Sequence, residues 1–167
     1  MSASHSAVIS TIGRGFDGLD VSALAQDLGA EFIRLEDFDA TVAAVLAEAP
    51  AAENIVAQGT GDIAFDAEVA AALGLPLAII SGAPQRTGEL AQHNAESLGA
   101  TVAGIFTDLE AVPGALASLG DVTPVMSADL FQKQLIDQAR AAGSHIVLPE
   151  GDDDRILEAA HVVLRDK

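Results

Sequence analysis

The sequence contains no cysteine, tryptophan or tyrosine, and lysine and arginine together number only 8. Without cysteine there is no disulfide framework, thiolate nucleophile or zinc ribbon to consider. Against these few cations stand 25 acidic residues, giving a net charge of -17. Because nucleic-acid binding needs clustered cations to neutralise phosphates, no nucleic-acid partner is expected. Fully apolar runs are only a few residues long, so no membrane span of about 20 residues is expected.

What the sequence does contain is a large share of small and aliphatic side chains. Half of the 167 residues are hydrophobic, mainly Ala, Val, Leu and Ile, which excludes a purely disordered chain. The first six residues lack the basic start and apolar core of a secretory signal, so we expect a cytoplasmic protein. The histidines show no H-x-x-x-H pairing, and no metal site is expected from His5, His93, His145 and His161.

Short β-branched runs alternate with Ala-rich stretches of helical period, each ending near a Gly or Pro. This alternation is typical of βα units, and it predicts an α/β fold with a parallel sheet between layers of helices. The predicted strands are residues 7–12, 31–35, 54–58, 77–80, 101–106 and 145–148. The predicted helices are residues 21–28, 41–49, 67–73, 87–98, 109–119, 127–142 and 152–164.

Repeated signals mark the predicted helix ends. An acidic residue precedes four of the helices as the expected N-cap, and a Leu-Gly pair closes four of them, where glycine easily adopts the left-handed conformation. The expected N-caps are Asp20, Asp39, Asp66 and Asp108, and the closing glycines are Gly29, Gly74, Gly99 and Gly120.

A domain boundary is predicted at residues 120–124, where Pro124 favours extended backbone before it and a new kind of helix follows. The predicted organisation is a disordered tail at 1–6, an α/β domain at 7–122 and a second domain that begins at 123. Residues 123–167 contain only one predicted strand between two helices, which cannot close a parallel sheet. We therefore expect this segment to be the truncated beginning of a domain.

A G-x-G-x-x-G motif follows the first predicted strand and precedes a helix. It is formed by Gly13, Gly15 and Gly18, and Glu36 ends the second predicted strand 18 residues later. This spacing is typical of dinucleotide-binding folds, in which the helix N-terminus binds the pyrophosphate and the acidic residue binds the ribose. One hypothesis is therefore a small NAD-binding Rossmann-type regulatory module.

Two acidic residues oppose that hypothesis. Asp17 and Asp20 place carboxylates where the pyrophosphate would bind, and their charge repels an anion. A glycine-rich turn that binds nothing is the alternative interpretation. No Gly-Lys pair occurs, so the P-loop lysine that holds the β and γ phosphates of ATP is absent.

An acidic run ends in an arginine at the start of the last predicted helix. Residues 152–154 are all Asp, and Arg155 follows them. Carboxylates in the first helical turn interact favourably with the helix dipole. We prefer this explanation of the acidic run over a divalent-cation site. Arg155 follows a predicted strand, where ligands of α/β proteins collect, and its planar guanidinium suits phosphate or carboxylate groups. Pairing with a nearby Asp is the alternative role.

The same region carries a resemblance to a known family. The string IVLPEGDDDRILEAA at residues 146–160 resembles the opening of the phosphate acetyl/butyryltransferase catalytic domain, together with TPVM at 123–126, Phe131, Leu135 and Ala139-Arg140. The preceding 120 residues are similar to the N-terminal domain of the long bacterial phosphate acetyltransferases. That domain is itself similar to a degenerate P-loop fold of the dethiobiotin-synthetase type.

The resemblance implies reversible acetyl transfer between acetyl-CoA and phosphate, giving acetyl phosphate and CoA, with no bound metal or cofactor. It implies a full-length enzyme that forms homo-oligomers and an N-terminal domain with a regulatory or assembly role. Of the substrate-binding residues, Arg155 is carried over, with Glu150 and Gly151 in its supporting turn. Most of the family's catalytic groups would follow residue 167, so this chain alone is expected to be inactive.

Overall fold

Five parallel strands form the central sheet of the protein in a computed structural model, which describes residues 5–142 and 153–165. The strands are β1 (Ala7–Ile12), β2 (Glu31–Arg34), β3 (Ile55–Gln58), β4 (Leu77–Ser81) and β5 (Val102–Phe106), in the order β2-β3-β1-β4-β5. Each neighbouring pair is parallel. The predicted α/β class with a parallel sheet is confirmed.

Seven α-helices are described, and those between the strands make each connection a βα crossover. They are α1 (Val21–Leu28), α2 (Val42–Glu48), α3 (Ile63–Leu73), α4 (Gln85–Ser97), α5 (Val112–Leu119), α6 (Ala128–Ala142) and α7 (Asp154–Arg165). A 3-10 turn, Leu35–Asp37, follows β2. No helix within residues 5–142 and 153–165 is long and apolar enough to cross a membrane.

Helices cover both faces of the sheet. Side chains from α2, α3 and α4 share one buried cluster with Val8 of β1. Side chains from α1 and α5 share the other cluster with Ala7 and Ile9. Successive residues of a strand point to opposite faces, so a strand covered on both faces carries apolar residues on both, as Val8 and Ile9 do in β1. The three-layer arrangement that the sequence predicts is confirmed.

The N-cap of α1 is the residue that the sequence predicts, whereas that of α2 is not. Asp20 accepts a hydrogen bond from the backbone N–H of Ala23 at 2.9 Å. For α2 the predicted N-cap Asp39 is wrong, because Thr41 has the extended backbone of an N-cap and its hydroxyl accepts from the N–H of Ala44.

Two other predicted N-caps are also wrong. Helix α3 begins four residues earlier than predicted, and its N-cap is Asp62, whose carboxylate accepts from two N–H groups of the first turn. Asp66 lies inside this helix and is fully buried. Helix α5 begins after Ala111 without a side-chain cap, and the carboxylate of Asp108 accepts from the N–H of Glu110 in a local turn.

The chain divides into two compact units, residues 1–130 and 131–167, and the division falls within α6. In the first unit, residues 121–130 pack against α2 and α3. The N–H of Val125 donates to the carbonyl of Ala71 at 2.8 Å, and Leu130 is buried against Leu46 and Ala72. The domain boundary near Pro124 stays a prediction. The predicted strand 145–148 lies outside the described residues.

Candidate functional site

In open α/β folds, ligands bind at the carboxyl ends of the strands. The binding point lies where the helices that follow two adjacent strands pass to opposite faces of the sheet. Helix α1 leaves β1 toward one face, whereas α3 and α4 leave β3 and β4 toward the other. The strand β1 lies between β3 and β4. The glycine loop (residues 13–18) that follows β1 therefore sits at this point of divergence.

Packing within the protein explains the first glycine of this loop. Gly13 and Gly18 have φ values of 69° and 76°, which L side chains rarely adopt. A Cβ atom at Gly13 would also lie 2.6 Å from the Cβ of Ala83 in the loop after β4. At Gly15 the nearest atom to such a Cβ is 3.9 Å away, on Asp17. The close approach that Gly13 permits is therefore to Ala83 of the same chain.

The one cation of the glycine loop is directed at backbone carbonyls. The guanidinium of Arg14 donates to the carbonyls of Asp17 at 3.0 Å, Gly15 at 3.3 Å and Thr107 at 3.3 Å. These bonds join the loop after β1 to the loop after β5. Sequence reasoning missed this role, although Arg14 is one of only two basic residues among the first 85.

The N-terminus of α1 already has an anionic partner. The carboxylate of Asp20 accepts from the N–H of Ala23, and this is the kind of N–H group that would otherwise bind a phosphate. The geometry agrees with the sequence argument that acidic residues here oppose a pyrophosphate.

Glu36 lies away from the glycine loop. It belongs to the 3-10 turn after β2, is half exposed and pairs with Arg34 at 3.1 Å. Dinucleotide-binding folds place β2 beside β1 in the order 3-2-1-4-5, whereas here β3 separates them. Two strand spacings, about 9 to 10 Å, therefore lie between β1 and the strand that precedes Glu36. The structure does not bring the four residues of the NAD hypothesis together, and that hypothesis has no support.

A buried carboxylate organises the loop after β3. Asp66 accepts hydrogen bonds from the hydroxyl of Ser10 at 2.5 Å, from the N–H and hydroxyl of Thr60 at 2.8 and 2.9 Å, and from the N–H of Gly61 at 3.2 Å. Burial raises the pKa of Asp66, and the bonds from Ser10, Thr60 and Gly61 act in the opposite direction. A Cβ at Gly59 would overlap this carboxylate. Sequence reasoning missed the cluster, for which the signal is an Asp within the apolar run of α3.

In the second unit, Arg155 occupies the first turn of α7, as the sequence predicts. Asp153 is placed just before this helix, and its carboxylate accepts from the N–H, Nε and Nη2 of Arg155. The ion pair lowers the pKa of Asp153 and raises that of Arg155. Pairing with a nearby Asp, the alternative role of Arg155, is therefore present. Glu150 and Gly151 lie outside the described residues.

Within residues 5–142 and 153–165, no three His, Cys, Asp or Glu side chains are grouped so that they could hold a metal ion.

Comparison with known proteins finds similarity in the C-terminal part of the chain. The family model described as "Phosphate acetyl/butaryl transferase" matches residues 130–167. A phosphate acetyltransferase of Corynebacterium glutamicum is 69% identical over 39 residues, which are 23% of this chain and 12% of that protein. No solved structure matches the chain. The resemblance of this segment to the phosphate acetyltransferases is confirmed, and the segment includes Asp153 and Arg155.

Proposed function

We propose that this chain is the N-terminal part of a phosphate acetyltransferase, which transfers an acetyl group between acetyl-CoA and phosphate. The proposal is carried by two observations: the family model matches residues 130–167, and a phosphate acetyltransferase is 69% identical to this chain over 39 residues. That match covers 12% of the relative's length. Acetyl-CoA and phosphate are metabolites of the cytoplasm, which supports a cytoplasmic location.

The first unit is proposed to have a regulatory or assembly role in a homo-oligomeric enzyme. Its sheet has the architecture of ligand-binding α/β folds, but the chain's own groups occupy the places where a nucleotide would bind. Arg14 is directed at three carbonyls, and Asp20 caps the helix that follows the glycine loop. These contacts support a role other than nucleotide chemistry, and no bound cofactor is proposed.

In the second unit, Arg155 is proposed to bind a phosphate group of a substrate, with Glu150 and Gly151 supporting it. A guanidinium offers paired N–H donors that match the oxygens of phosphate, and its charge is retained at all physiological pH values. The side chain of Arg155 is 89% exposed, so a ligand has access to it.

The first test is the activity of the 167-residue chain by itself. Purified chain is mixed with acetyl-CoA and phosphate, and release of the CoA thiol is followed with a thiol reagent. We expect no rate above a control without protein, because Arg155 alone does not supply a transferase site. Turnover above that control would contradict the expectation that the chain is inactive.

The second test asks whether the matched segment serves a transferase. The stretch of the Corynebacterium glutamicum enzyme that corresponds to residues 130–167 of this chain is replaced by those residues, and kcat/KM is measured. We expect the chimera to retain kcat/KM within about tenfold, a change of about 1.4 kcal/mol in transition-state stabilisation. A folded chimera without activity would contradict the proposed function.

The chimera also tests Arg155. Arg155→Lys should lower turnover while the protein stays folded, because an ammonium cannot reproduce a two-pronged guanidinium contact. Arg140→Lys is the matched control, since Arg140 lies in the same segment but on α6, where it pairs with Asp137. Unchanged kinetics with either Lys or Ala at position 155 would assign Arg155 to a surface ion pair.

A further inference from the structure

The ion pair at the start of α7 has a specific geometry. The two carboxylate oxygens of Asp153 contact one edge of the Arg155 guanidinium, with Nε to Oδ1 at 3.1 Å and Nη2 to Oδ2 at 2.6 Å. The backbone N–H of Arg155 donates to the same Oδ1 at 2.9 Å. A single carboxylate thus fixes both the backbone and the side chain of this arginine.

This pairing leaves most of the guanidinium available. Arginine has five N–H donors in a planar fork, and Asp153 accepts from two of them. Both N–H groups of Nη1 and one of Nη2 remain, and one N–H from each of these two nitrogens forms the second edge of the fork. The Arg155 side chain is 89% exposed, whereas that of Asp153 is only 26% exposed. The free edge is therefore the part of the pair that faces solvent.

We propose that Asp153 is a positioning residue, which holds one edge of the Arg155 guanidinium and presents the other edge to a phosphate group of the substrate. This inference rests on the proposed function. The phosphate group belongs either to inorganic phosphate or to coenzyme A, which share the same recognition chemistry. Holding the side chain in one conformation reduces the entropy that binding would otherwise remove.

The neighbouring residue offers a matched control. Asp154 is an exposed Asp in the first turn of α7, one position closer to Arg155 than Asp153 is, but no bond joins its side chain to the guanidinium. Asp153→Asn and Asp154→Asn each remove one negative charge from the same helix end. Asn is also a good N-cap. A difference between the two variants therefore reports on the contact with Arg155 and not on charge.

The first measurement uses the 167-residue chain and does not depend on catalysis. Exchange of the Arg155 Nε–H with water is followed by ¹⁵N NMR. We expect Asp153→Asn to speed this exchange by about tenfold or more because the charged hydrogen bond is lost, and Asp154→Asn to leave it within about twofold. Equal exchange in the two variants would overturn the positioning role.

The second measurement uses the chimeric transferase described above. We expect Asp153→Asn to raise one KM by about tenfold and to change kcat by less than about twofold, whereas Asp154→Asn changes neither. A rise in the KM of phosphate identifies inorganic phosphate as the partner of Arg155, and a rise in that of acetyl-CoA identifies coenzyme A. In the double variant with Arg155→Ala, removal of Asp153 should have no further effect.

The outcomes separate the two proposals. A parent chimera that is folded but inactive contradicts the proposed function, and the NMR measurement then still shows whether Asp153 orients Arg155. An active chimera in which Asp153→Asn and Asp154→Asn behave alike overturns the positioning role alone. A loss of kcat with both KM values unchanged also overturns it, because it would indicate a structural effect.

Discussion

Ser10 and Asp66 lie 56 positions apart in the chain, yet the hydroxyl of Ser10 donates to the carboxylate of Asp66 at 2.5 Å in the protein interior. The bond joins β1 to α3 across one face of the sheet. The same carboxylate accepts from Thr60 and Gly61, so it also fixes the loop after β3. Asp66 thereby connects three elements at the carboxyl edge of the sheet.

Asp66→Ala should destabilise the fold strongly. Ser10, Thr60 and Gly61 would all lose their buried acceptor, and each unsatisfied donor is costly. We expect the free energy of unfolding at neutral pH to fall by about 2 to 4 kcal/mol, measured by urea denaturation. Glu68→Ala is the matched control on the same helix, because Glu68 is exposed, and its effect should stay within about 0.5 kcal/mol. A similar small loss for Asp66→Ala would contradict the role of this carboxylate.

The pH dependence of stability should also report on Asp66. Burial raises its pKa above 3.8, so the folded state binds this proton more tightly than the unfolded state. The stabilisation from Asp66 is then complete below the unfolded pKa and is reduced as the pH rises through the folded pKa. The difference in unfolding free energy between the wild type and Asp66→Ala should therefore shrink as the pH rises from about 4, near the unfolded pKa of an Asp, through the folded pKa of Asp66. A difference that grows over this range would show that the hydrogen bonds outweigh burial.

Local signals predicted much of the fold. The β-branched run at 7–12 and the helix at 21–28 agree with the structure at both ends. Both are determined by neighbouring residues: the strand by its β-branched side chains, and the helix by Asp20 at its start and the left-handed Gly29 at its end. Features that depend on a few adjacent positions can be predicted in this way.

Features that depend on distant contacts could not be predicted. Strand order is one of them, because nothing near β2 shows that β3 will lie between it and β1. The hypothesis that Glu36 and the glycine loop form one dinucleotide site was wrong for this reason. Asp62 and Asp66 are both acidic residues near the start of α3, and the buried contact of Asp66 with Ser10, which is distant in the chain, distinguishes the two.

Nucleotides should bind weakly or not at all to the glycine loop. The N–H groups there are partly engaged by Asp20, and Glu36 is two strands from β1. A titration with NAD, followed by the amide signal of Gly15, should give no saturable shift. Calorimetry with ATP and Mg²⁺ should give no dissociation constant below about 100 μM, which corresponds to about -5.5 kcal/mol. Tighter binding of either nucleotide would show that the loop rearranges to accept phosphates.

Packing of residues 121–130 within the first unit can be tested at two glycines. Gly74 and Gly29 both end helices with positive φ, at 69° and 66°. A Cβ at Gly74 would lie 2.6 Å from the Cδ of Pro124, whereas a Cβ at Gly29 would meet nothing within 4 Å. Alanine at either position carries the same left-handed cost of about 1 to 2 kcal/mol. Only Gly74→Ala also displaces Pro124.

We therefore expect Gly74→Ala to reduce the free energy of unfolding by about 1 to 3 kcal/mol more than Gly29→Ala, since overpacking adds to the backbone cost. The amide of Val125 should exchange faster in Gly74→Ala, because the shifted Pro124 weakens the bond from Val125 to the carbonyl of Ala71. In Gly29→Ala, exchange of the Val125 amide should speed up only by the amount that the loss of global stability accounts for. Equal losses of stability, with the Val125 amide exchanging alike in both variants, would show that Pro124 is not held against Gly74 in solution.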